Sequence, residues 1–228
     1  MATSTKAEAD EALAVLRVAL QHSPDSGPNH AAESARDRAI EILGRLPADA
    51  DPFVLERLEE AFAAARRKDG ADEAEVCGTI VTAVAQRRSP GAAGILRRMV
   101  FESACPLWLP RNVVWLMSKW DPAGFATILR EAVASRLDEY VRSAAAESLV
   151  QSRLATEREI DEFFRDRDHS VRKLALRGLA TSATPDAIIR LSEVALREKD
   201  ERLRAQAWSL LGNIGAAPRL APGPSGCC

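Results

Sequence analysis

An all-α fold, a stack of about six helix pairs, is predicted by three features of this sequence: a helix-favouring composition, a recurring twelve-residue pattern, and regularly spaced helix-start signals. Ala, Leu, Glu and Arg dominate, and aromatic residues make up only 5% with a single Tyr. Strong helix formers are therefore abundant, while β-branched and aromatic strand formers are scarce. The chain has 228 residues, of which 46% are apolar. That is long enough for one elongated repeat array and apolar enough to bury a continuous core.

The pattern Asp-x-x-Val/Leu-Arg-x-x-Ala-x-x-x-Leu occurs at Asp138–Leu149, Asp168–Leu179 and Asp200–Leu211, with its arginines Arg142, Arg172 and Arg204 spaced 30 and 32 residues apart. Each position has a physical task. The Asp stands where an N-cap belongs, and its carboxylate suits the positive end of the helix dipole. The Val or Leu, the Ala four later and the Leu four after that form one stripe at helical spacing. A small Ala inside the stripe lets a neighbouring helix approach closely. The Arg flanks the stripe and is placed to reach an Asp at the start of an adjacent helix.

Taken in order, the pairs are predicted at 5–22 with 31–46, 52–68 with 72–88, 90–103 with 106–119, 122–135 with 138–152, 156–166 with 168–182, and 184–198 with 200–214. Thr5-x-x-Glu8 reads as a capping box for the first helix, and Ala35-Arg36-x-x-Ala39-x-x-x-Leu43-Gly44 echoes the pattern in the second without its Asp. Asp51-Pro52, Ser89-Pro90, Asp121-Pro122 and Thr184-Pro185 each put a capping side chain before a Pro at the first helical position. Thr156-x-x-Glu159 is a second capping box. The segment from Val76 to Val84 shows only the outline of a helix pair, and in the third pair Pro110-Arg111 and Val114 take the Val-Arg and Ala places. Residues 22–30 and 68–72 are polar, turn-rich connections. The array is expected over residues 1–215, followed by a flexible Pro/Gly tail over 216–228 that ends in Cys227-Cys228.

On these residues, Thr184 to Gly215 resembles a short HEAT repeat of the kind found in phycobilin lyase subunits and many bacterial HEAT proteins, down to the Asn213-Ile214-Gly215 ending. The resemblance is specific over 121–215. It implies a right-handed α-solenoid of antiparallel, HEAT-like pairs, and a family made up mostly of scaffolds and binders. HEAT-like solenoids of this length also include alkylpurine DNA glycosylases, with Trp and Asp on a concave basic surface. The mild acidity here and the lack of an aromatic-plus-Asp groove motif argue against that branch.

Charge narrows the partners. With 31 basic and 33 acidic side chains the formal net charge is −2, which disfavours a binder that gains affinity by neutralising phosphates. No basic region followed by an apolar stretch opens the chain, and no run approaches the roughly 20 apolar residues of a membrane span. A cytoplasmic, bacterial protein is expected, with no membrane partner. Cys77 and Cys105 read as small buried hydrophobes.

Chemistry-bearing spacings are lacking. The sequence holds no His-x-x-x-His, Cys-x-x-Cys, Gly-x-Gly-x-x-Gly, Walker loop or Gly-x-Ser-x-Gly. Asp168-His169-Ser170 are neighbours in sequence, which point different ways on a helix, and so form no triad. The acidic cluster Glu157, Glu159, Asp161 and Glu162 is interleaved with Arg158, Arg165 and Arg167 and reads as a solvated helix. No catalytic residue, metal ligand or cofactor is assigned. The expected function is a non-catalytic protein-binding scaffold, with a nucleic-acid-binding or DNA-repair solenoid, or a lyase-type enzyme subunit, as the alternatives. Trp108, Trp115 and Trp120 fall within one helix pair, and Trp115 shares its repeat position with Ala146, Leu176 and Trp208; such bulk reads either as packing against the next pair or as anchors along the inner face of the second helices. The candidate contacts are Trp115, Lys119, Arg142, Arg172, Lys173, Arg177, Arg204 and Trp208.

Overall fold

The computed structural model describes residues 2–21, 30–67, 70–102, 105–182 and 184–216. Among these the secondary structure is entirely helical: α1 (Ala2–Gln21), α2 (His30–Arg45), α3 (Asp51–Ala65), α4 (Ala71–Arg87), α5 (Ala93–Phe101), α6 (Trp108–Trp120), α7 (Ala126–Ala134), α8 (Glu139–Gln151), α9 (Glu157–Phe164), α10 (His169–Ser182), α11 (Pro185–Arg197) and α12 (Glu201–Ala216). Each of the twelve predicted helices has a counterpart. Most of the connection 22–30, residues 68 and 69, and the tail beyond Ala216 with Cys227 and Cys228 lie outside the described residues.

The chain divides into two compact units, Met1–Ala144 and Ala145–Cys228, with the division falling inside α8. In the first unit α1 packs on α2, α3 on α4 and α5 on α6, and α4 also packs on α2 and on α6. In the second unit α9 packs on α10 and α11 on α12, and α10 packs on α12. The recurring stripe is buried at Val141, Ala145, Leu149, Val171, Ala175, Leu179, Leu203 and Ala207. Leu211, the last residue of the pattern, is half-buried. Cys77 and Cys105 are both buried and unbridged. Burial pushes both thiols above the ordinary value, which keeps them in the neutral form that suits a packed core.

Two start signals work as the sequence predicts. Thr156 accepts the Glu159 backbone N–H while the Glu159 carboxylate accepts the Thr156 N–H, a complete capping box. Thr184 accepts from the Ala187 N–H at 3.2 Å ahead of Pro185. The others are corrected. Asp51 is the first residue of α3 behind the N-cap Ala50, and its carboxylate is taken by Arg87 and by the Ser89 hydroxyl. Ser89 stands at the N-cap position ahead of Pro90 but makes no side-chain cap bond; its hydroxyl donates to Asp51 at 3.0 Å. Asp121 accepts the Gly124 N–H in a turn that precedes α7, whose N-cap is Phe125. Helix α1 already runs through Thr5 from Ala2.

Candidate functional site

The pattern arginines share one geometry. Arg142 is buried (4% exposed) and its Nε donates to the Val133 carbonyl at 2.9 Å, in the last turn of α7. Arg172 Nη1 donates to the Asp166 and Arg167 carbonyls at 2.9 and 3.0 Å, just past α9. Arg204 Nη1 donates to the Glu198 carbonyl at 2.9 Å, at the end of α11. Each guanidinium therefore closes the C-terminal end of the preceding helix, where carbonyls lack intrahelical partners and the dipole favours a cation. The expected reach toward an Asp occurs at Arg172, whose Nη2 lies 3.7 Å from Asp200 Oδ2.

Asp200 collects further donors. His169 Nδ1 sits 2.8 Å from Asp200 Oδ2, and the backbone N–H groups of Arg202 and Leu203 donate to Oδ1. The His169–Asp200 pair latches the start of α10 to the N-cap of α12. Partial burial acts to raise the Asp200 pKa, but the bonds from His169, Leu203 and Arg202, together with the His169 charge, outweigh it and hold the pKa below the ordinary 3.8. The folded chain therefore releases this proton more readily than the unfolded one. The stabilisation is complete above the ordinary value and is lost as pH falls through the depressed one. Asp200→Asn keeps a capping oxygen but loses the charge. Its unfolding temperature is expected to fall less steeply than that of the wild type below about pH 4, in a thermal scan from about pH 6 to 2. Parallel curves would show that the latch carries no charge-dependent stability.

Helix α6 carries the other notable face. Arg111, Trp115 and Lys119 follow one another at four-residue intervals, and all three are exposed, Trp115 at 50%. Lys119 Nζ lies 3.8 Å above the Trp115 ring, and the Arg111 guanidinium is 6.0 Å from the ring centre of Tyr140, itself exposed. Trp108 opens the helix partly exposed and rests on Gly78 of α4, where a Cβ would come within 3.3 Å of its ring. Trp120 is turned to a separate contact, tilted against Phe125 at 5.2 Å.

Of the predicted contacts in the first unit, Trp115 and Lys119 thus come together, while Arg142 is withdrawn into the core. In the second unit Lys173 is exposed, Arg177 is paired with Glu147 at 3.1 Å, and Trp208 is 55% exposed. The repeat position shared by Trp115 and Trp208 is fully buried at Ala146 and Leu176. The largest side chain therefore stands where the position is left in solvent. Sequence reasoning missed Arg111 and Tyr140 as members of the α6 face. The four-residue rhythm of Arg111, Trp115 and Lys119 was legible; the approach of Tyr140 from α8 had no local signal.

The second unit also holds a cleft of about 580 Å³, formed by the end of α8, the starts of α9 and α11, and the end of α10. Its lining includes Val150, Ile160 and Leu179, together with Arg153 and Glu193. Arg190, on the same lining, is ion-paired with Asp161. No group of three or more His, Cys, Asp or Glu side chains able to hold a metal occurs among the described residues, and no described helix is long and apolar enough to cross a membrane. No protein-family model matches the chain, and no curated protein does.

Proposed function

We propose that the chain is a HEAT-like, right-handed α-solenoid acting as a non-catalytic protein-binding scaffold, with the α6 face as its principal contact surface. One observation carries the reading: Trp115 is half in solvent beneath the Lys119 ammonium, at a repeat position that is core at Ala146 and Leu176. Exposed Trp and Arg side chains on α6, with the exposed Tyr140 of α8 near the Arg, have the composition of protein-interface hot spots. The solenoid reading is supported by the recurring stripe and by the packing of α4 on both α2 and α6 and of α10 on α12. The balance of 31 basic against 33 acidic groups favours a protein over a nucleic acid.

The test is affinity capture from the native host, with wild-type protein and Trp115→Ala side by side. Capture of a defined protein by the wild type, and its loss by about tenfold or more in the variant, is the expected outcome. Equal capture by both proteins would remove the α6 face from the proposal, and a turned-over substrate with no captured protein would overturn the scaffold reading.

A further inference from the structure

The α6 face also has a charge pattern that specifies its partner's chemistry. Trp108–Trp120 contains no Asp or Glu, and its two cations lie against aromatic rings. Neither Arg111 nor Lys119 has a carboxylate within ion-pair distance among the described residues. On the neighbouring α5, by contrast, Arg97 is paired with Glu131 and Arg98 with Glu59. Among the described residues the α6 cations contact ring faces and no carboxylate, so a partner's carboxylates can reach them without displacing an ion pair seen there.

The spacing is equally specific. At a rise of about 1.5 Å per residue, Arg111, Trp115 and Lys119 stand about 6 Å apart along the helix axis. An extended chain advances about 6.6 Å for every two residues and turns alternate side chains to the same side. Three alternate side chains of an extended segment therefore match the three α6 side chains one to one. We infer, on the basis of the protein-binding reading above, that α6 takes an extended acidic segment of the pattern acid-x-apolar-x-acid. The apolar side chain lies on Trp115, and the two carboxylates lie on Arg111 and Lys119. Single-stranded nucleic acid would offer stacking bases and phosphates to the same groups. Two free cations supply little of the phosphate neutralisation that such binding needs, and the chain's net charge is −2.

The experiment titrates the full chain, by calorimetry, with three probes: a glycine-flanked Glu-Ala-Leu-Ala-Glu peptide, its Lys-for-Glu counterpart, and an oligothymidylate. The acidic peptide is expected to bind most tightly, and Trp115→Ala is expected to weaken it about tenfold. In the double variant Arg111→Glu with Lys119→Glu, preference is expected to pass to the lysine peptide. All three substituted side chains are exposed, so circular dichroism of the variants should match the wild type. Failure to discriminate acidic from basic peptide, or a preference unmoved by the double reversal, overturns the inference. So does tighter binding of oligothymidylate that is lost in Trp115→Ala. Should the captured host protein still depend on Trp115 while the acidic peptide does not bind, the protein-binding reading stands and the acidic-segment inference alone falls.

Discussion

Arg87→Ala is expected to destabilise the first unit by about 3 kcal/mol, in the range measured when one partner of a buried charge pair is removed. The side chain is 5% exposed at the end of α4 and ties three helices together. Its guanidinium donates to the carbonyls of Leu43, Leu46 and Pro47 at the end of α2, and to Asp51 Oδ1 at the start of α3. Truncation leaves those carbonyls and a part-buried carboxylate without their main donor, and each unmatched buried polar group costs about 1–3 kcal/mol. Ser89 softens the loss at Asp51, because its hydroxyl donates to the same oxygen at 3.0 Å. Arg87→Lys restores the charge but not the fork, since a single ammonium cannot serve carbonyls and carboxylate together, and should recover about half the loss. Arg45→Ala is the control: its bond to Glu41 lies on the exposed face of α2 and contributes under about 0.5 kcal/mol. Urea denaturation of the three variants measures the order directly. A loss for Arg87→Ala no larger than that for Arg45→Ala would show that the network at the α2–α3 junction is dispensable.

That junction also shows where sequence reasoning stops. The helices themselves were legible, because composition, period and caps are local signals; α9, α10 and α11 start within a residue or so of their predicted positions. The buried stripe was legible for the same reason, since Val171, Ala175 and Leu179 lie on one face by spacing alone. Asp51, however, looks identical to an N-cap in sequence, and only its tertiary neighbours Arg87 and Ser89, more than 35 residues away, decide otherwise. The α6 face divides in the same manner. Trp115 and Lys119 were expected on one surface from the repeat position of Trp115, whereas Tyr140 and the exposure of Trp108 depend on how α8 and α4 meet α6. The cleft of the second unit draws on four separate segments and leaves no trace in any one of them.

Three copies of one motif arginine should differ in energetic weight according to environment alone. Arg142→Ala, Arg172→Ala and Arg204→Ala each remove a donor from the C-terminal carbonyls of the preceding helix. Their burial falls in that order: Arg142 is 4% exposed, while the side chains of Arg172 and Arg204 are 24% and 37% exposed. Where the site is dry, the abandoned carbonyl has no water to replace the guanidinium, so Arg142→Ala should cost about 2–4 kcal/mol. At Arg172 partial hydration reduces the loss to about 1–2 kcal/mol, a figure that includes the weak contact with Asp200 at 3.7 Å. At Arg204 solvent competes for both the carbonyl and the cation, and screening brings the loss below about 1 kcal/mol. Equilibrium unfolding of the three variants gives the comparison. Equal losses would mean that the motif arginine acts through its own helix, for instance by propensity, because all three replacements have the same intrinsic helix effect. A largest loss at Arg204 would contradict the capping role outright. The predicted gradient instead makes the motif a set of helix-end locks whose strength is set by how completely each is covered.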